Sequence, residues 1–166
     1  MRAPWEAGGD PASRGPYIVV KKARRLLELW QDGRLRGRFP IDLGSSPVGP
    51  KRREGDGRTP EGLYYVCTRN GNSRFYLALG LSYPNRRDAA IGLEEGIISE
   101  ACWRLIAGAA DRRLRPPWDT ALGGAVMIHG MGAGRDWTAG CIALRNRDMD
   151  ELWAQCPLGT PVWIEP

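Results

Sequence analysis

The chain is poor in the residues that bind metal ions. Its 166 residues include one histidine, His129, and four cysteines, at positions 67, 102, 141 and 156. No two cysteines form the C-x-x-C pair that is typical of zinc ribbons. We therefore expect no multi-histidine metal site and no zinc ribbon. We also expect that the protein uses no cofactor.

Long hydrophobic segments are also lacking. No apolar run approaches the ~18–20 residues that a membrane helix needs, which predicts no transmembrane segment. Residues 1–16 are polar and carry no apolar core of a secretory signal. We expect residues 1–16 to be a flexible leader and residues 17–166 to form one domain, a size that suits a single core. A cytoplasmic location, or a signal that this sequence does not include, both stay open.

Lysine is scarce, because 21 of the 24 basic residues are arginine. The net charge of +5 would suit an anionic polymer. However, the basic residues are scattered along the chain, whereas a nucleic-acid site clusters them on one face with aromatic residues. We therefore expect a solvated surface and no nucleic-acid partner.

The residue patterns predict a mainly β fold with a few helices. β-Branched and aromatic runs indicate strands, and Asp32-Gly33 is typical of a hairpin turn. An apolar repeat of three and four residues from Ile98 to Ala109 indicates a helix between Arg87 and Arg113. Asn146 is a suitable cap for a second helix, which should run to about Gln155. The predicted strands are Tyr17–Val20, Arg25–Trp30, Arg34–Leu43, Leu63–Thr68, Phe75–Ser82 (after a turn at Arg69–Asn72), Ala125–Ile128, Cys141–Leu144 and Thr160–Ile164, with a long surface loop at Gly44–Gly62.

Two buried strands bring together the candidate catalytic residues. One strand ends at His129, and the next begins at Cys141, twelve residues later. Such a short excursion can place both side chains at one sheet edge, where an imidazole can lower the pKa of a thiol and take its proton. Gly140 would let the backbone approach a substrate carbonyl, so that nearby N–H groups face the developing oxyanion. Spacing alone leaves the structural alternative open, because a single buried cysteine often acts only as a small apolar residue.

Five segments together carry a more specific signal. They follow one another in the order of a known family: EGDGRTPEG (54–62), LSYPN (81–85), LGG with IHG (122–124 and 128–130), DWTAGCIAL (136–144) and GTPVWI (159–164). On these segments the chain resembles the L,D-transpeptidase catalytic domain family, also called YkuD-like. It is most similar to the murein L,D-transpeptidase-like branch that includes a peptidoglycan amidase. The resemblance implies a single catalytic domain with a β-sandwich or barrel-like fold.

The resemblance also implies an activity. Cys141 would be the nucleophile, attacking the diaminopimelate carbonyl of a peptidoglycan stem tetrapeptide and releasing D-alanine. His129 would be its base, with the other ring nitrogen held by a backbone carbonyl. Gly140 would lie at the oxyanion site, and Gly130 would support the backbone. The acceptor would be an amine, such as a stem peptide or a cell-wall-anchored protein, or water, and the location would be the cell envelope or periplasm.

Two departures from the family pattern affect this expectation. The common signature reads S-H-G-C, then a hydrophobic residue, then Arg, whereas this chain has Thr138, Ala139 and, at the arginine position, Ala143. The missing arginine favours a hydrolytic reaction, of the amidase or L,D-carboxypeptidase type, or a different acceptor. A non-catalytic cell-wall binding module also stays open. The candidate substrate-binding residues are Thr138, Trp137, Arg135 and Arg58, of which either arginine could supply the lost charge. Asp136 is expected to pair with an arginine or to cap the loop.

Overall fold

The computed structural model describes residues 14–166, so residues 1–13 of the predicted leader lie outside the described residues. The described chain has eight strands, three α-helices and a short 3-10 helix. The prediction of a mainly β fold with a few helices is therefore confirmed. The strands are β1 (Pro16–Lys21), β2 (Leu26–Gln31), β3 (Arg34–Pro40), β4 (Gly62–Ser73), β5 (Tyr76–Leu81), β6 (Met127–His129), β7 (Ile142–Ala143) and β8 (Pro161–Glu165); the helices are α1 (Arg86–Glu94), α2 (Glu100–Asp111) and α3 (Asn146–Gln155).

All eight strands form one curled sheet in the order β3-β2-β1-β8-β4-β5-β6-β7. Strand β4 is long enough to pair with β8 through its first residues and with β5 through its later ones. A register shift between Val66 and Thr68 lies at the change of partner, and such irregularities bend strands. The segment after β3 also bridges to the far edge, where Asp42 pairs with Ala143 of β7. The two edges of the sheet thus meet, which gives the barrel-like curvature.

The core fills the inside of this curl. Ile18 and Val20 of β1 point into the main core, whereas Tyr17 and Val19 pack with Trp163 on the opposite face. Both faces of β1 are therefore covered, which explains its uninterrupted apolar run. The two helices α1 and α2 build a smaller apolar cluster of their own, and among residues 14–166 no helix is long and apolar enough to cross a bilayer.

The two predicted hairpins differ in outcome. The first is confirmed, because β2 and β3 pair antiparallel around Asp32 and Gly33, both of which have positive φ. In the second, the turn predicted at Arg69–Asn72 is wrong: β4 continues through these residues, and Ser73 pairs with Tyr76. The pairing is irregular between Asn70 and Ser73, so the turn-forming residues make an irregularity within the strand instead of its end.

The helical region is also divided differently. In place of one helix the chain forms α1 and α2, separated at Gly96, which has a φ of +70°. Leu105, which lies within the apolar repeat, is 65% exposed, whereas Ile106 is fully buried. The contact face of α2 is rotated toward Trp103 and Ala107, because Ile106 and Trp103 pack in a cluster with Ala89 of α1 and with Leu122.

The predicted cap of α3 is wrong as well. The N-cap is Arg145, and no side chain caps the helix there. Asn146 is the first helical residue, and its side-chain oxygen accepts the N–H of Met131. The helix ends at Gln155 as predicted. Asn146 therefore connects α3 to the loop that leaves β6.

Candidate active site

The parallel pair of β6 and β7 positions the two candidate catalytic residues. Ile128 pairs with Ile142, and His129 pairs with Ala143. Cys141 directly precedes β7, and its Sγ accepts the N–H of Met127, the first residue of β6. The buried strands thus bring the imidazole and the thiol to the same edge.

His129 is held in one orientation. It is 2% exposed, and its Nδ1 lies 2.7 Å from the carbonyl oxygen of Gly130. Because a carbonyl only accepts hydrogen bonds, Nδ1 carries the hydrogen and Nε2 is left as an acceptor. The ring stacks on Phe75 at 4.6 Å and meets the edge of Trp137 at 5.9 Å. Burial lowers the pKa of His129, which favours the neutral base.

The Cys141 thiol is partly buried and weakly hydrogen-bonded. Its Sγ accepts the N–H of Met127 at 3.4 Å, and the thiol donates to the Ala125 carbonyl at 3.7 Å. Burial raises the pKa of Cys141, and the Met127 N–H and the positive charge of Lys51 oppose that rise. No hydrogen bond joins Cys141 to His129 in the described part of the chain. Burial thus favours the neutral form of both groups, a thiol and an imidazole.

The turn before Cys141 is held by Thr138. The Gly140 N–H donates to Thr138 Oγ1 at 3.1 Å, and the Thr138 hydroxyl donates to the Cys141 carbonyl at 2.7 Å. Gly140 has a φ of +140°, and a Cβ there would lie 2.6 Å from the carbonyl oxygen of Arg58. Because Thr138 already accepts the Gly140 N–H, the Cys141 N–H is the donor of this turn that an oxyanion could use.

Gly130 supports His129 from behind. A Cβ at this position would lie 2.6 Å from Asn146 Oδ1 and 2.9 Å from the Phe75 carbonyl oxygen. The Gly130 N–H donates to that same carbonyl at 3.0 Å. Only glycine fits there without displacing the residues around the imidazole.

Asp42 is a site residue that the sequence analysis missed. Its carboxylate accepts the Ala133 N–H at 2.6 Å and the Trp137 indole N–H at 3.0 Å. Its backbone pairs with Ala143 in both directions, at 2.9 and 3.0 Å. Asp42 therefore organises the loop between His129 and Cys141, and its charge acts to raise the pKa of His129 against the larger effect of burial. No local motif marks this residue.

The predicted substrate-binding residues divide into two groups. Thr138 and Trp137 lie beside the catalytic pair, where Trp137 packs on His129. The side chains of Arg135 and Arg58 are exposed and form no ion pair within the described residues. Ala143 is fully buried. Neither Arg135 nor Arg58 is therefore fixed at the site by an ion pair, and a replacement of the lost charge by either arginine stays a prediction.

The long loop at Gly44–Gly62 is less superficial than predicted. Thr59 is fully buried, and its hydroxyl accepts the Gly44 N–H. A Cβ at Gly44 would lie 3.2 Å from Gly140 Cα. The loop also buries Lys51, whose Nζ donates to the Arg53 carbonyl at 2.9 Å and to Asp56 Oδ1 at 3.0 Å. This loop therefore packs directly against the turn that carries Cys141.

Other charged and thiol groups have structural roles. Asp136 pairs with Arg25 at 2.7 Å, as expected, and it also accepts the N–H of Leu43 from the segment after β3. The four cysteines are free thiols. Within residues 14–166 no group of three or more His, Cys, Asp or Glu side chains could hold a metal ion.

Comparisons with known proteins agree with the geometry. The family model described as "YkuD: L,D-transpeptidase catalytic domain" matches residues 15–164. YafK of Escherichia coli (strain K12), whose name places it among the L,D-transpeptidases, is 30% identical over 157 residues. That alignment covers 90% of this chain and 50% of YafK, so the chain spans about half the length of this curated relative.

Two solved structures share the fold. The helical cell shape determining protein Pgp2 from Campylobacter jejuni matches with a TM-score of 0.61 and 22% identity, over 95% of this chain and 52% of that chain. The L,D-transpeptidase from Xylanimonas cellulosilytica matches with a TM-score of 0.54 and 17% identity, over 96% and 66%. At these identities the likeness concerns the fold alone.

Proposed function

The chain belongs to the L,D-transpeptidase catalytic domain family, and from this premise we propose that it is a cysteine enzyme acting on peptidoglycan stem tetrapeptides. The observation that carries the proposal is the fixed His129 tautomer. With Nδ1–H held by the Gly130 carbonyl at 2.7 Å, Nε2 is the nitrogen that can take a proton, and His129 ends the strand that pairs with the one directly after Cys141. Peptidoglycan lies outside the cytoplasmic membrane, so this function includes a location in the cell envelope.

The acylation step follows from the neutral resting pair. The thiol leaves the Ala125 carbonyl, His129 Nε2 takes its proton, and Sγ forms a bond to the diaminopimelate carbonyl carbon. The Cys141 N–H stabilises the resulting oxyanion. When the intermediate collapses, the C–N bond breaks, and the nitrogen of D-alanine takes the proton from Nε2. The product is a thioester on Cys141 and free D-alanine.

The second step resolves the thioester. His129 Nε2 takes a proton from an incoming amine, which bonds to the thioester carbonyl carbon while the C–S bond breaks and the sulfur regains a proton. An amine of another stem peptide gives a cross-link, and an amine of a cell-wall-anchored protein gives an attached protein. Water in the same position gives hydrolysis.

A specific observation favours hydrolysis as the second candidate. Ala143 occupies the position of the family arginine, is fully buried, and bonds through both backbone groups to Asp42. The charge that the family pattern places beside the nucleophile is therefore absent from that position. An acceptor that needs no charged recognition, such as water, suits this difference.

Product analysis with a Cys141→Ala variant tests the proposal. Purified tetrapeptide muropeptides are incubated with the protein, and D-alanine release and product masses are measured. We expect release by the unaltered protein and loss of at least about 10³-fold in Cys141→Ala, since the nucleophile is removed. A product that retains the acceptor indicates transfer, and a tripeptide indicates hydrolysis.

Cys102→Ala is the matched control, because Cys102 is also a half-buried free thiol but lies on α2. It should release D-alanine at the unaltered rate. Undiminished release by Cys141→Ala would contradict the mechanism. Binding of muropeptides by both variants with no release by any form would identify a cell-wall binding module instead.

A further inference from the structure

The lysines of this chain are few and specifically placed. Arginine supplies 21 of the 24 basic residues, and the lysines are Lys21, Lys22 and Lys51. Lys22 is 2% exposed and Lys51 is 3% exposed. Lysine is rarely buried unless it is paired, so both positions require an explanation.

The two buried ammonium groups differ in how their donors are used. Lys22 Nζ donates to the Gly49 carbonyl, the Thr59 carbonyl and Glu61 Oε1 at 2.8–2.9 Å, which uses all three of its N–H groups. Lys51 Nζ donates to the Arg53 carbonyl and to Asp56 Oδ1. One N–H of Lys51 therefore has no partner among the described residues. Lys22 is a complete structural clamp, and Lys51 is not.

The stem of Lys51 lies between the two segments that flank the thiol. A Cβ at Gly123 would lie 3.2 Å from Lys51 Cε, and a Cβ at Gly140 would lie 4.0 Å from Lys51 Cδ. Gly140 directly precedes Cys141, and the segment after Gly123 provides the Ala125 carbonyl that accepts from the thiol. Lys51 therefore reaches the site from the long loop.

The remaining charges around the thiol come from three parts of the chain, namely the long loop, β6 and the segment after β3. Asp56 pairs with Lys51 at 3.0 Å from the same loop, and the Glu54 carboxylate contacts Gly123. His129 lies on β6, and Asp42 faces His129 from the segment after β3. Arg58 approaches Gly140 through its carbonyl, while its side chain is exposed. Burial raises the pKa of Cys141, and the charge of the buried Lys51 side chain acts against that rise.

We propose that Lys51 is a positioning residue that stabilises negative charge on the Cys141 sulfur and replaces, from the long loop, the cation that Ala143 lacks. A buried ammonium with an unused N–H can favour a nearby anion strongly, because little water screens the charge. The contribution to turnover rests on the proposed function. The effect on the thiol itself does not, and can be measured without substrate.

The experiment measures alkylation of Cys141 by iodoacetamide across pH 6–10, read from the mass of the Cys141 peptide. In Lys51→Met we expect the alkylation rate at pH 7 to fall by about three- to tenfold and the midpoint of the pH profile to move to higher pH. Less of the thiol is then ionised at pH 7, and the greater nucleophilicity of the more basic thiolate offsets only part of that loss. Lys51→Arg should restore most of the rate. Asp56→Asn, which removes the compensating carboxylate, should move the midpoint the other way, to lower pH.

Lys22→Met is the matched control, because it removes a buried lysine that holds the same loop. It should lower the melting temperature and leave the alkylation profile of Cys141 in place. An unchanged profile in Lys51→Met, or equal shifts in Lys51→Met and Lys22→Met, would overturn the proposal. If Lys51→Met does not fold, an Asp56→Asn profile equal to that of the unaltered protein would overturn it instead. A shifted profile in a protein that releases no D-alanine would support the role of Lys51 while refuting the proposed function.

Discussion

Replacing Gly140 by alanine tests how the turn before Cys141 is built. The site requires the backbone at Gly140 to have a φ of +140° and to lie against the Arg58 carbonyl, 2.6 Å from where a Cβ would be. Both requirements exclude a side chain. The neighbouring Gly134 has a φ of +76° and has no atom within 4 Å of its own hypothetical Cβ. Gly134→Ala is thus a matched control that introduces backbone strain without the contact.

The expected magnitudes follow from these two terms. A non-glycine residue in a sparsely populated region costs about 1–3 kcal/mol, and forcing a methyl group against packed backbone costs about 1–3 kcal/mol more. Gly140→Ala should therefore lower the free energy of unfolding by about 4 kcal/mol, and Gly134→Ala by about 1–2 kcal/mol. For a domain of this size, these losses correspond to a melting temperature lower by about 8–16 °C and about 2–8 °C respectively.

Thermal unfolding followed by circular dichroism gives the stability of both variants, and D-alanine release gives their activity. Gly140→Ala should lose activity even where it is folded, because the backbone must move away from the Arg58 carbonyl and this displaces the adjacent Cys141. Gly134→Ala should keep its activity. Equal melting temperatures in the two variants, together with full activity in Gly140→Ala, would refute the close packing of this turn.

Two further predictions concern hydrogen bonds and pH. Thr138→Val removes the hydroxyl that joins the Gly140 N–H and the Cys141 carbonyl. We expect chemical denaturation to show a free energy of unfolding lower by about 2 kcal/mol, whereas Thr138→Ser should retain most of the stability. An unchanged stability in Thr138→Val would contradict this role. Burial raises the pKa of Asp88 from 3.8 to about 6, so the folded state holds this proton more tightly than the unfolded state does. Its contribution to stability is full below about pH 4 and is lost as the pH rises through 6, an effect of about 3 kcal/mol. Relative to Asp88→Asn, the unaltered protein should therefore lose about that much stability between pH 4 and pH 7, and parallel stability curves would contradict the assignment.

The sequence predicted well those features that depend on local patterns. Alternating and continuous apolar runs marked most strands, and Asp32-Gly33 marked its hairpin because only a few residues tolerate positive φ at both positions. The apolar runs also placed His129 at the end of β6, whereas the strand predicted at Cys141–Leu144 is limited to Ile142–Ala143, directly after Cys141. Local patterns were less reliable where two structures satisfy them. Asn70-Gly71 suits a turn and also an irregular strand pairing, and the tertiary contacts select the second.

Residues that long-range contacts bring to the site were not predictable. Asp42 reaches the loop between His129 and Cys141 because the two sheet edges meet, and no pattern within its own segment shows this closure. Lys51 lies in a loop without periodicity, so its burial depends on how that loop packs. Phe75 was placed in a strand, and its stacking on His129 follows from the turn position that the sequence did not reveal.

The most direct test of the central claim is the mass of the protein itself after brief incubation with a tetrapeptide muropeptide. We expect an adduct equal to the muropeptide without D-alanine, located on the Cys141 peptide and released by an amine or by water. We expect no adduct in Cys141→Ala or His129→Ala, and an adduct in Cys102→Ala. Release of D-alanine without any covalent adduct, or an adduct on another residue, would contradict the claim.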